Sequence, residues 1–221
     1  MLQSKNNIPA HLIRLRRDLC LELKLEEQEL PFAGELMQVR ADELDWQPVL
    51  EKLLRPFALR MLVPDKQYKK VNRYVNQTNL NTRLVYTLVK DTALRQYADP
   101  GTVWHKMEFL DEHPHSSWVS QQLIQQFNFS CVENERLMER YDKAITQQGL
   151  VKSRDRHEKD DRPETNDPGR YVMGWNNEKK KAALQLRRSQ LLNEQEQATE
   201  ALERADRRNT RLLASFASIP K

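Results

Sequence analysis

The sequence predicts a bipartite α/β domain, two mixed and mostly parallel halves, inserted at the tip of an antiparallel coiled-coil hairpin. Three observations lead there. From Asn176 to Ile219, Leu184, Leu191, Ala198, Ala205, Leu212 and Ile219 recur every seven residues, with no Pro or Gly through Ser218. That is one seam of a helix. The chain's beginning carries a second stripe, Ile8, Leu12, Leu15 and Leu19. Between the two, strand-like and helix-like patterns alternate twice, the order that builds layered α/β structure.

The first helix starts near Pro9, a residue tolerated in a first turn, and fades near Lys24, before the acidic link Glu26 to Glu29. Residues 1–24 are therefore read as the incoming coiled-coil helix. Residues 25–99 form the first half. It has a strand at Glu35–Val39, a helix marked by Trp46, Val49, Leu50, Leu53 and Leu54, and a buried strand over Ala58–Val63. A helix with Tyr68, Val71, Tyr74 and Val75 and a β-branched strand, Arg83–Val89, complete it. The second half, 100–175, opens after Asp99-Pro100-Gly101 with a strand over Val103–Leu110. A helix (Trp118, Leu123, Ile124, Phe127), a strand (Phe129–Val132) and a helix (Leu137, Met138, Tyr141, Ile145) follow, then a strand from Gly149. Lys152 to Arg170 has Pro163, Pro168 and Gly169 and hardly an apolar residue, and reads as a loop. Tyr171 to Trp175 re-enters the core and launches the terminal helix, 176–221.

At 1.5 Å per residue the terminal helix reaches roughly 65 Å, longer than a domain of this size is wide. The second core row of its heptads reads Lys181, Arg188, Gln195, Leu202, Asn209 and Phe216. So polar a seam needs a partner, and the expected one is the first helix, which can cover only the near half.

Apolar residues make up 38% and charged residues 31% of the 221, a balance expected when a coiled coil is included. No run of 18 apolar residues and no apolar signal core occurs, which points to a cytoplasmic protein with no membrane segment. Cys20 and Cys131 have no CxxC spacing and read as buried free thiols. The net charge of +4 is uneven: +3 over residues 1–24, −3 over 25–151, zero over 152–170 and +4 over 171–221. A polyanion would meet the helical stems first.

Lys179, Lys180, Lys181, Arg187 and Arg188, beside Arg14, Arg16 and Arg17, are the DNA-binding candidates, with phosphate contacts indifferent to base sequence. Lys66, Lys69, Lys70 and Arg73 read as the solvated face of an amphipathic helix. His157, Glu158, Asp160 and Asp161 can be drawn as a metal-dependent nuclease site, but catalysis needs carboxylates held rigidly. Alternating charges there favour local salt bridges. His113 and His115 flank Pro114 with no third ligand nearby, and read as a surface turn. Trp46, Trp104, Trp118 and Trp175 read as core and junction packing. No nucleophile motif, catalytic residue, metal site or cofactor site emerges.

Several segments carry a resemblance. Leu30-Pro31-Phe32, Glu35–Val39, Trp46 to Leu54, Leu59–Val63 and Arg83-Leu84-Val85-Tyr86 follow the order of the first half of an SMC hinge. Arg156-His157-Glu158-Lys159-Asp160-Asp161, followed by Arg170-Tyr171-Val172-Met173-Gly174-Trp175-Asn176-Asn177-Glu178-Lys179, resembles the SMC-like subunit of Wadjet plasmid-defence complexes, the JetC or EptC type related to MukB. The resemblance covers residues 8–190. It implies a hinge that forms a homodimer, ATPase heads at the far ends of the arms, other complex subunits, and loop extrusion on double-stranded DNA. Five glycines and no GxxxxGK[ST] mean that no phosphate loop lies in this chain. The glycine-rich dimer segment of bacterial SMC hinges is also missing. The dimer contact is therefore expected at strand edges around Gly149, Leu150 and Val151 and around Tyr171, Val172 and Met173, with Arg170 and Trp175 fixing the angle of the departing stem.

Overall fold

The computed structural model describes residues 7–90, 97–162, 166–175 and 178–217, the last segment with side chains at 185, 186 and 188–209. It divides into two compact units, residues 1–177 and 178–221.

In the first unit, α1 (Ala10–Leu23) begins right after Pro9 and stops at Lys24, whose left-handed backbone (φ 54°) breaks the helix. Its stripe is buried, and Ile8, Leu12, Ile13, Leu19 and Cys20 share one cluster with Leu30, Phe32, Met61, Val63 and Val71. The face read as a coiled-coil seam thus serves as a core face inside the unit.

The first half follows the predicted order: β1 (Met37–Val39), α2 (Gln47–Ala58), β2 (Met61–Pro64), α3 (Asp65–Gln77) and β3 (Tyr86–Val89). β2 and β3 pair in parallel, as a helical crossover requires. Val49, Leu50, Leu54 and Phe57 of α2 are buried, the last three without exposure. The second half contains β4 (Met107–Phe109), α4 (Ser116–Gln126), β5 (Ser130–Val132), the single turn α5 (Glu135–Met138), β6 (Lys143–Thr146), β7 (Leu150–Ser153) and β8 (Arg156–Lys159). The last four strands run β5-β6-β7-β8, with β5 and β6 parallel and the others antiparallel. The halves are interwoven: β1 pairs antiparallel with β4, and the main core takes Leu50, Leu54 and Phe57 from one half and Leu123, Phe129 and Ile145 from the other.

Three expectations change. The strand expected over Val103–Leu110 is a 3₁₀ turn, Val103–Lys106, before β4. The helix expected through Ile145 ends at Met138, because Ala144, Ile145 and Thr146 are buried on β6. The loop expected from Lys152 holds a hairpin instead, β7 turning into β8 through Arg154 (φ 55°), its base pinned where Lys52 Nζ donates to the Asp160 carbonyl at 2.6 Å.

The second unit is α6 (Glu178–Ala217), 40 residues without a break. Arg204–Glu200 and Arg207–Glu203 pair one turn apart at 2.7 and 2.9 Å. Leu186, Leu191, Leu192 and Leu202 are exposed; the Leu184 and Leu212 side chains and Ile219 lie outside the described residues. Among the described residues no helix is long and apolar enough to cross a membrane.

Two predictions follow from the packing. A Cβ on Gly34 would lie 2.8 Å from the Val172 carbonyl and 3.1 Å from the Ala58 Cβ, so Gly34→Ala should cost about 1–3 kcal/mol in urea unfolding. Burial pushes the Cys20 thiol up to about 11 and the Cys131 thiol up to about 12, so both should react slowly with Ellman's reagent at pH 8 and promptly once the chain is unfolded.

Candidate functional site

Residues 172–174 run through the interior, Val172 1% and Met173 3% exposed. Three groups hold them. The first is Glu51, on the apolar face of α2 and 3% exposed. Its carboxylate accepts the Val172 N–H at 2.9 Å and the Met173 N–H at 3.2 Å. Next, the Gly174 N–H donates to the carbonyls of Gly34 (2.8 Å) and Met37 (2.9 Å), an arrangement that needs the left-handed φ of 106° at Gly174. Last, Asn7 Nδ2 donates to the Met173 carbonyl at 2.7 Å, a buried bond across 166 residues of chain. The first and the last described segments of the compact unit thus meet at one point.

The surroundings support this joint. Arg55, one turn after Glu51, gives its Nη1 to the Arg170 carbonyl at 2.6 Å. Burial lowers the Arg55 pKa, opposed by the charge of Glu51. Tyr171 is pushed up to about 12, by burial first and by Glu51 second, so its phenol is neutral. Trp175 is half-buried beside the joint. Arg55 therefore holds this segment at the Arg170 carbonyl. Glu51 was missed in the sequence, although a lone carboxylate between Leu50 and Leu54 in an apolar helical stripe was a signal: charge is placed there only where donors meet it.

The expected dimer surface needs correction. Gly149 turns β6 into β7 at φ 87°. β7, which carries Leu150 and Val151, lies between β6 and β8, so neither of its edges is open. Val172 and Met173 are core residues, and Tyr171 is half-buried beside them. On this side the open edge is that of β8, whose four residues are all exposed.

The basic candidates are also dispersed. Arg16 is buried, its side chain 7% exposed, and it pairs with Glu35 at 2.5 Å and Glu27 at 3.5 Å while lying over the Phe32 ring. It holds the fold together and cannot face a phosphate. Arg17 pairs with Glu27 at 3.4 Å. Arg14 and Arg188 are exposed. The side chains of Lys179, Lys180, Lys181 and Arg187 lie outside the described residues. Lys66, Lys69, Lys70 and Arg73 line the solvated face of α3.

Glu158, Asp160 and Asp161 each have a neighbouring cation: Arg156, Arg162 and Lys159 respectively. Hydrogen bonds from Arg162 hold the Asp160 carboxyl down to about 2. Among the described residues no three His, Cys, Asp or Glu side chains gather as a metal set. His113 and His115 stack edge-on at 5.3 Å just before α4. Trp46 is buried, and Trp104, its indole N–H on Ser120 Oγ at 2.8 Å, packs with Trp118 against the main core.

No protein-family profile and no curated protein matches the chain. Solved structures do. Over 94% of its length the chain follows 30% of a chain described as the folded elbow of cohesin, at 12% identity and a TM-score of 0.52. It also matches a Pyrococcus furiosus Smc hinge domain with an extended coiled coil, at 14% identity and TM-score 0.49, covering 93% of this chain and 76% of that one. A third match is the hinge domain in an asymmetric SMC dimer of Geobacillus stearothermophilus, at 16% identity and TM-score 0.46, covering 92% and 86%. The likeness is one of fold. The chain spans under a third of the cohesin chain that it follows.

The joint makes a prediction of its own. Glu51→Ala strands two buried N–H donors and should cost about 2–4 kcal/mol. Glu51→Gln keeps an acceptor and should cost less, with amide exchange speeding up at Val172 and Met173 in both variants.

Proposed function

We propose that this chain is the hinge of an SMC-like protein: a compact cap joining two long helical arms and pairing with a second copy. The observation behind this reading is the Asn7–Met173 bond, because a domain inserted at a hairpin tip must receive and release its chain at one place. The uninterrupted 40-residue α6 after Asn177 suits an arm. The cohesin likeness agrees in fold, and a Geobacillus SMC hinge domain is described as a dimer. A cap of this kind carries mechanical load, so its task needs no catalytic group.

The finer assignment is to the SMC-like subunit of Wadjet complexes, supported by the two motifs at 156–161 and 170–179. In this reading the whole protein works in the cytoplasm. Its ATPase heads and partner subunits lie beyond this chain, and it extrudes loops of double-stranded DNA in defence against small circular plasmids. Arg14 and Arg188 are exposed basic residues available to such DNA.

Light scattering tests the hinge reading. A chain of 26.2 kDa should run at twice that mass at micromolar concentration, and a strict monomer would contradict it. For the defence assignment, removing the hinge from the whole protein should restore small plasmids to cells, and unchanged plasmid exclusion would contradict it.

A further inference from the structure

We infer that the second half carries a binding site for a purine mononucleotide, guanine in preference to adenine. The site is an open cavity of about 770 Å³, walled by the end of α4, the starts of the parallel strands β5 and β6, and the β7–β8 turn. That volume is in the range of small-ligand sites. Two of the lining residues are aromatic, Tyr97 at 89% and Tyr141 at 43% exposure. Neither ring belongs to a core cluster. An exposed ring beside a cleft offers its face to a flat ligand.

One wall accepts hydrogen bonds. Asn128, just past the end of α4, donates from Nδ2 to Asp99 Oδ2 at 2.7 Å. That bond leaves the amide oxygen as the free group, and Oδ1 is shielded from solvent with no donor. An enclosed acceptor without a donor calls for one. Asp99 gives Asn128 one carboxylate oxygen and keeps the other, so two acceptors neighbour each other on this wall. α4 also ends here, and the negative end of its dipole favours donors. Guanine meets such a pair with N1–H and N2–H₂, adjacent donors on one edge. Adenine has an acceptor at N1, which would face an oxygen.

The rim at the β7–β8 turn differs in charge. Arg154 has an exposed side chain there, and its backbone N–H donates to the Asp142 carbonyl at 2.6 Å. Lys143 lines the cavity too, but its Nζ lies over the Phe129 ring at 5.6 Å and donates to the Gln126 carbonyl at 3.4 Å. Arg154 is therefore the cation left for an anion, and its planar fork matches a phosphate. Asp142, beside it, can accept from a ribose hydroxyl. Free arginine has a flat donor group and an anionic end as well, so the test separates the two.

The whole chain, isotope-labelled, is titrated with GMP, AMP, guanosine and arginine and followed by amide shifts. GMP should give saturable shifts at Asn128, Ser130 and Tyr141 and bind at least about fivefold tighter than AMP. Tyr141→Ala should weaken GMP by about fivefold or more. Arg154→Asn supplies a residue that tolerates φ 55°. It should weaken GMP by a similar factor and leave guanosine unchanged. Melting temperature should stay the same in both variants, because both side chains are exposed. Equal affinity for GMP and AMP, or tighter binding of arginine than of GMP, overturns the guanine assignment. No saturable shift with millimolar GMP overturns the site itself, and the hinge reading stands under either result.

Discussion

A buried carboxylate with two backbone donors is the contact on which this structure turns. Glu51 sits in the main core, where an uncompensated charge is expensive. What makes it tolerable is the last strip of the compact unit, Val172 and Met173, which brings two N–H groups to its oxygens. The requirement runs both ways. Without the strip α2 would hold an unmatched charge in an apolar face, and without Glu51 the strip would bury two unpaired donors. Gly34 admits the strip because it has no Cβ, and Asn7 closes the arrangement by taking the Met173 carbonyl.

The last segment of the unit is therefore held by hydrogen bonds to the turn at Gly34, to β1 at Met37 and to the Glu51 carboxylate on α2, all parts of one continuous core. That core does not divide at the boundary between the halves: β1 needs β4, and α2 packs under side chains from α4, β5 and β6. A cap that opened at the seam between its halves would have to break this shared core.

Much of this was legible in the sequence, for local reasons. α1, α2, β2, α3 and β3 came from apolar periodicity with Pro and turn residues at their ends, and α6 from an unbroken run of helix formers. The failures have local reasons too. Ile145 fitted a helical stripe with Leu137 and Met138 but lies on a short buried strand, a confusion of period that few residues cannot resolve. β8 is an edge strand of three charged residues and a histidine, with no apolar alternation to reveal it. Val172 and Met173 were read as an open edge because apolar strand-like residues look alike whether an edge or a core takes them; the deciding partner, Glu51, lies 121 residues away. Arg16 looked like a phosphate ligand, yet Glu35 and Glu27 had already claimed it.

The first and last described segments of the compact unit lie side by side at the Asn7–Met173 bond. Pulsed electron spin resonance between nitroxides at Ala10→Cys and Arg170→Cys measures this directly, with Cys131→Ser as background and Cys20 buried. Each site is three residues from the Asn7–Met173 bond, and three residues span no more than roughly 11 Å. The account predicts a narrow distribution below about 35 Å, allowing for the label linkers. Opposite faces of a unit this size lie roughly 40 Å apart, and a distribution centred beyond that, once the linkers are added, would contradict it.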